Sequence, residues 1–329
     1  MFVYCEAAVA KASDYRYKNV ELVSVPFKAN GWQSIPYDCV SIFKACKRGG
    51  VLLILGTSAT LFLPIFKLLF PNVKFVVNMA GLEWSRSKWS KPISWYLKLN
   101  ERYAINHADI TITDNQGLLE YVDESYSVAT VYIPYGGDQG IDYSPDKDVL
   151  EDIILPDGDF DLAISRAQPD NNIEMILSSY SYNSSPLVFI SNWESCDFGK
   201  DMRTRFGSLS NIYLIDPIYD LNKLAAIRSR ARLYVHGHSA GGTNPVLVES
   251  MWHSLPIVCF DVNFNRFTTH GEALFFKNKE ELISCLDNIT AQWLDETSTK
   301  VYLLAVQEYS WTEICKHYHQ VLTNECNQL

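Results

Sequence analysis

Two doubly wound α/β domains facing each other across a cleft are the fold this sequence predicts. Three observations carry the expectation. Short apolar strands alternate with helical stretches through both halves of the chain, a Gly-, Asp- and Pro-rich stretch separates the halves, and 329 residues is about twice an ordinary domain. Alternation at this spacing calls for mostly parallel sheets covered by helices on both faces.

In the first half the expected strands are 2–5, 20–25, 51–56, 73–79, 110–113 and 130–133, with helices over 37–47, 60–70, 92–106 and 116–125. The run from Val51 to Phe70 is the most apolar, but Gly56, Thr57, Ser58, Thr60, Pro64 and Lys67 interrupt it. It reads as a strand followed by a buried amphipathic helix, because a membrane span needs about 20 mostly apolar residues. From Gly136 to Asp161 the chain is rich in Gly, Asp and Pro with little apolar periodicity, which marks a linker. The alternation then restarts, with strands expected over 160–165, 187–191, 212–215, 233–236, 257–261 and 273–276. Helices are expected over 172–180, 221–229, 245–253 and 279–288, from 290 onward, and over 311–323. The division is therefore an N-terminal Rossmann-like domain over residues 1–140 and a linker over 141–158. The C-terminal Rossmann-like domain covers 159–329, its last helix packing back.

Composition excludes several classes. Hydrophobic residues make up 47% and charged residues 20%, an ordinary globular balance. A net charge of -10 argues against general affinity for nucleic acid. The eight cysteines form no C-x-x-C pair and no zinc-spaced cluster with histidine, so they read as buried or half-buried thiols of a reducing cytosol. The start, MFVYCEAAVAK, lacks a basic region followed by an apolar core, and the expectation is a soluble, cytoplasmic chain. Asp157, Asp159 and Asp161 form D-x-D triplets, read as solvated turn residues in an acidic linker. No metal site is expected. G-x-S-x-G and H-E-x-x-H are both absent, so a hydrolase triad or a metalloenzyme is unsupported.

Three loops carry candidate chemistry. In His236–Trp252 a strand end leads through Gly241 and Gly242 to a helix opened by Asn244 and Pro245. Glycine lets the backbone approach a ligand, asparagine caps, and proline suits the first helical position. The free N–H groups and the positive end of the helix dipole favour an anion there, though any strand-to-helix turn likes Gly and Asn. Glu249 lies on the same helix, where its carboxylate would accept a sugar hydroxyl. The second loop, Ile164 to Asn172, places Arg166 at a strand end, either facing a diphosphate in the cleft or on the surface beside a turn. The third, Asn78 to Lys91, packs Glu83, Arg86, Lys88 and two tryptophans after a first-domain strand. Its tryptophans are either ligand-stacking faces or core anchors.

Taken together, GLEWSRSKW, NERYAINHADITITDN, YIPYGGD, SRAQPDNNIEMIL and GHSAGGTNPVLVESM with DVNFNR resemble the family-4 group of GT-B glycosyltransferases. More narrowly they resemble its bacterial rhamnosyltransferase branch, over residue 1 to the final YSW…HYHQVL helix. The resemblance implies a GT-B fold and a retaining transfer of rhamnose, or another hexose, from dTDP-rhamnose to a lipid-linked sugar in O-antigen or capsule synthesis. It implies a donor side formed by Arg166, His238, Gly241, Gly242, Thr243, Asn244 and Glu249, and an acceptor side formed by Glu83, Arg86 and Lys88. It assigns no catalytic base. The implied partners are a nucleotide sugar as substrate, with no cofactor or metal, and an undecaprenyl-diphosphate-linked acceptor met by peripheral contact at the inner membrane face.

The sequence departs from the family pattern at Gly241, where relatives carry the first of two glutamates, at Asn171, where they carry lysine, and at Ala80, where many carry histidine. Relatives also open with a strand and a glycine-rich phosphate loop. This sequence starts at what corresponds to the second strand, so the expectation is either that the true start lies upstream or that the first βα unit is absent. The rival expectations are a truncated, non-catalytic nucleotide-binding chain and a hexosyltransferase using a UDP- or GDP-sugar.

Overall fold

A computed structural model describes residues 1–7, 20–29, 31–86, 89–141 and 147–323. The first half forms β1 (Phe2–Glu6), β2 (Glu21–Val25), α1 (Ser34–Cys46), β3 (Val51–Leu55), α2 (Leu63–Leu69) and β4 (Lys74–Met79). It continues with α3 (Lys91–His107), β5 (Ile110–Thr113), α4 (Gln116–Tyr126) and β6 (Val131–Tyr132). The second half begins with β7 (Phe160–Ile164), α5 (Ile173–Tyr180), β8 (Leu187–Ile190), α6 (Asp197–Phe206), β9 (Ile212–Ile215), α7 (Leu221–Arg230) and β10 (Ala231–His236). It ends with α8 (Pro245–Trp252), β11 (Ile257–Phe260), α9 (Asn263–Thr268), β12 (Leu274–Phe276), α10 (Lys279–Asp287), α11 (Ala291–Glu308) and α12 (Trp311–Thr323). All strand pairs are parallel.

The second sheet has the order β12-β11-β10-β7-β8-β9. Its connections run one way from β7 through β8 to β9, then return to start again at β10 beside β7. That reversal makes the β7/β10 boundary a topological switch point, where the loops after the two strands diverge and leave a crevice. The strands read as continuous apolar runs because both faces are covered. In β8, Leu187 and Phe189 pack with α5, α6 and α10, whereas Val188 and Ile190 pack with α7, α8 and α11. Each fully buried side chain of this kind contributes ~1.5–3 kcal/mol.

The first half differs from a single expected sheet. β3-β4-β5-β6 form one ladder and β1-β2 another, and no described strand joins them. Helix α1 spans both instead. Its Tyr37 hydroxyl donates to the Tyr4 carbonyl at 2.9 Å and its Lys44 ammonium to the Ser24 carbonyl at 3.1 Å. Ile42 and Cys46, on the same helix, enter the core beneath β3 and β4.

Helix α12 leaves the second half and packs on the first-half sheet, where Ile314 and Val321 meet Val76, Ile112 and Ile133. Tyr318 on the same helix accepts from the Asn78 amide at 2.8 Å. Among the described residues no helix is long and apolar enough to cross a membrane. Cys46 and Cys259 are buried free thiols, whereas Cys315 is exposed rather than half-buried.

Asp161 corrects the reading of the acidic linker. It is buried in β7, held by both Nε and Nη2 of Arg232 at 2.8 Å, and accepts the Tyr180 hydroxyl at 2.6 Å. The triplet that resembled a solvated turn therefore ends in a structural ion pair, because strand β7 begins one residue before it.

Candidate active site

A cavity of about 1010 Å³ lies between the halves, at the carboxyl ends of both parallel sheets. From the second half come Arg166 and Gln168, after β7, and His238 with the Gly241–Asn244 turn, after β10. From the first half come Gly81, Glu83 and Arg86, after β4, Asp114, after β5, and Tyr135, after β6. The switch point thus supplies one wall and the first sheet's strand ends the other.

The two walls touch through glycine. Gly81 has φ +110 and Gly241 φ +127, both in the region that L side chains rarely adopt. A Cβ on Gly81 would stand 2.7 Å from the Gly241 Cα, and one on Gly242 only 1.8 Å from Asp114 Oδ1. Beside them the Thr243 hydroxyl donates to the Asp114 carbonyl, and the Asn115 amide reaches Thr243 Oγ1 at 3.2 Å and Thr268 Oγ1 at 3.1 Å. Asn244 then caps α8 by accepting from the Val246 N–H at 3.0 Å, and Pro245 takes the first turn. The N–H groups of Val246, Leu247 and Val248 are taken by Asn244, so what the start of α8 presents to the cavity is the positive end of its dipole, which favours an anion.

His238 sits against this turn. Burial, with Arg86 and Arg166 adding to it and Asp170 opposing, lowers its imidazole to about 4, so it is neutral at physiological pH. Asn171 donates through its amide nitrogen to the Arg166 carbonyl at 2.7 Å, which leaves its Oδ1 to accept from His238 Nδ1 at 2.7 Å. That network fixes the proton on Nδ1 and leaves Nε2 as an acceptor beside Gly241. Arg166 is exposed to the cavity and has no ion-pair partner among the described residues.

The expected acceptor loop is split in its roles. Arg86, only 11% exposed, lies 3.1 Å from Glu83 and 3.2 Å from Asp170 of the second half. The tryptophans act as anchors: Trp89 donates to Glu83 at 3.1 Å, and Trp84 to the buried Glu101 at 2.8 Å. Glu101 also accepts from Tyr121 at 2.5 Å, Tyr126 at 2.8 Å and Lys98 at 2.8 Å, which pins the loop to α3 and α4. Lys88 lies outside the described residues.

Glu249 departs from its expected place. Its carboxylate contacts the buried Arg228 of α7 and the Gln139 amide, and it is not part of the cavity wall. The sequence places Glu249 on α8, but does not say which side chain arrives from α7.

Asp114 was not singled out by the sequence. It is 2% exposed, its Oδ1 has no hydrogen-bond partner, and burial raises its carboxyl to about 7 against a hydrogen bond from Thr243 that lowers it. The available signal was a run of polar residues, Thr113-Asp114-Asn115, closing an apolar strand. No group of three or more His, Cys, Asp or Glu side chains able to hold a metal ion occurs among the described residues.

Residues 1–138 match a family described as a domain of unknown function, DUF1972. No curated protein matches the sequence. Among solved structures, the sucrose-phosphate synthase of Thermosynechococcus elongatus is similar at TM-score 0.76 and 15% identity, over 92% of this chain and 82% of that one. Anabaena HepE, solved in complex with UDP and glucose, is similar at TM-score 0.72 and 15% identity, over 92% and 86%. The UDP-forming α,α-trehalose-phosphate synthase of Burkholderia vietnamiensis gives 0.67 and 10%, over 90% and 81%. The fold is that of the GT-B glycosyltransferases.

Proposed function

We propose that the chain is a glycosyltransferase whose donor is a nucleoside diphosphate sugar. The observation that carries the reading is the meeting of Arg166, His238 and the Gly241–Asn244 turn at the switch point, in one cavity closed by the first-half Gly81 loop. Arg166, without an ion-pair partner among the described residues, supplies a cation for the diphosphate, and α8 supplies the positive end of its dipole. His238 Nε2 accepts from a donor sugar hydroxyl. The Anabaena neighbour solved with UDP and glucose supports this class of donor.

The chemistry follows from these parts. The bond from the anomeric carbon to the phosphate oxygen breaks, and its electron pair passes to the diphosphate, held by Arg166 and the helix N-terminus. An acceptor hydroxyl oxygen bonds to the anomeric carbon on the face the diphosphate leaves, and its proton passes to a leaving phosphate oxygen. Such a step retains configuration and needs no protein base.

The finer reading is dTDP-rhamnose as donor and an undecaprenyl-diphosphate-linked sugar as acceptor, supported by the motif resemblance. Peripheral contact with a lipid surface is supported by the exposed Ile65, Leu68 and Leu69 of α2 with Ile93 and Trp95 of α3. A UDP-hexose donor is the second reading, favoured by the UDP-bound neighbour. Thermal-shift titrations with dTDP, UDP and GDP separate the two. Stabilisation by dTDP above UDP and GDP is expected, and its absence removes the rhamnosyl reading. Arg166→Ala is expected to weaken nucleotide binding about tenfold or more; an unchanged midpoint shift takes Arg166 out of the site. Product analysis with dTDP-rhamnose and lipid-linked acceptors then tests the transfer itself.

A further inference from the structure

We propose that Arg86 is a second phosphate-binding cation, delivered to the donor's diphosphate by the first half from the side opposite Arg166. The inference rests on the reading of the cavity as a nucleotide-sugar site and moves Arg86 from the acceptor side to the donor side.

The placement comes from the lining of the cavity and from two ion-pair contacts. Arg86 lines the same cavity as Arg166, His238 and the Gly241–Asn244 turn. Its Nε lies 3.2 Å from Asp170, which follows Arg166 on the same second-half loop, and its Nη1 donates to Glu83 at 3.1 Å. Two cations from different loops therefore border the cavity that the glycine turn and the start of α8 also line.

The guanidinium is oriented and not used up. A planar fork offers five N–H groups. Glu83 takes one through Nη1, and Asp170 approaches Nε without completing a hydrogen bond, since Asp170 Oδ2 has none. The remaining N–H groups are matched in geometry to a phosphate. Asp170 and Glu83 are positioning residues here. They hold a long, flexible side chain in one rotamer across the domain boundary, which reduces the entropy lost when the ligand arrives. The arrangement also makes donor binding favour the closed cleft, because a diphosphate seated on the α8 turn would draw Arg86, and the first half with it.

The alternative is that Arg86 is only an interdomain bridge to Asp170. The two roles separate by substitution, because Asp170→Asn breaks the ion pair and keeps the Arg86 charge, whereas Arg86→Ala removes both. Calorimetric titration of the full chain with inorganic pyrophosphate, dTDP, UDP, thymidine and uridine is the measurement. Arg86→Ala is expected to weaken pyrophosphate and the better-bound nucleoside diphosphate about tenfold or more, and to leave the corresponding nucleoside unchanged. Asp170→Asn, which loses the positioning contact but keeps the Arg86 charge, is expected to weaken pyrophosphate and the nucleoside diphosphate by clearly less than Arg86→Ala does, and to leave the nucleoside unchanged. Arg86→Lys, which keeps the charge without the fork, covers the case in which the alanine variant fails to fold, and is expected to fall between. Equal weakening by Arg86→Ala and Asp170→Asn, or pyrophosphate binding insensitive to Arg86, overturns the proposal. If those titrations respond to Arg166→Ala alone, this proposal fails and the nucleotide-sugar reading stands. If the unaltered chain binds neither pyrophosphate nor nucleotide, both fail.

Discussion

The closest approach between the two walls of the cleft is made by single atoms, and it explains a glycine that a strand-to-helix turn alone does not demand. Gly242, unlike Gly81 and Gly241, is not at positive φ; it is required because Asp114 Oδ1 occupies the place of its Cβ. Gly242→Ala is therefore expected to destabilise the chain by ~1–3 kcal/mol, the usual range for a forced overpacking, and to lower nucleotide affinity by spreading the walls. Asp114→Ala in the same chain removes the clashing carboxyl and is expected to recover most of the loss. Denaturant unfolding of the two single variants and the double variant checks this, and additive effects would place the damage elsewhere. The residue scale also shows which roles were legible. Asn244 and Pro245 carry their cap and first-turn signatures locally, so the start of α8 could be read from the sequence. Asp114 and Asp170 acquire their roles only when loops more than 50 residues apart in sequence meet, and nothing near them announces the partner. The pairing of Glu249 was hidden for the same reason, since Arg228 arrives from another helix.

At the scale of elements, short apolar runs between helical stretches located the strands found among the described residues, most of which place apolar side chains in a core. Helices with a clear apolar stripe were equally legible. α6 and α9 were not. α6, DFGKDMRTRF, buries only Gly199, Met202 and Phe206 among charged residues, and α9 is a six-residue helix that buries Asn265 and Thr268. Neither has a side-chain N-cap, and their helicity comes from packing context instead of pattern. α12 is the element that ties the halves together. It starts where Trp311 donates from its backbone N–H to Asp138 at 2.9 Å and from its indole to Gln139 at 2.6 Å, then lays Ile314 and Val321 on the first-half sheet. Ile314→Ala leaves a cavity in that contact and is expected to cost ~2–5 kcal/mol. Leu303→Ala on α11, at 53% exposure, is the control and is expected to change stability by less than about 0.5 kcal/mol. Urea midpoints of the two variants test the assignment, and equal effects would remove α12 from the interdomain core.

For the molecule as a whole, the seam between the two halves contains an acid that burial shifts toward its protonated form. Asp114 is buried between the walls with Tyr132, Tyr135 and Tyr318 as the titratable groups facing it, and no cation among the causes of its shift. Burial raises its carboxyl to about 7, whereas in the unfolded chain it titrates near about 4. Between those values the folded protein holds a proton that the unfolded chain has released. The unfolding free energy therefore falls as pH rises through this window, and the loss is complete above pH 7. Asp38, raised to about 6, acts in the same direction, and Asp152 and Asp261, both lowered, act in the opposite one. Their effects cancel when the chain is compared with Asp114→Asn, which presents a neutral side chain of similar shape at every pH. The thermal midpoint of the unaltered chain relative to that variant is expected to decline from pH 4.5 or so to about pH 7 and then level off. The cleft is expected to loosen over the same range, because an ionised Asp114 recovers its hydration only when Gly242 and Thr243 move away. A midpoint difference that stays constant with pH would mean that Asp114 is ionised in the folded protein and that the walls are held apart from it.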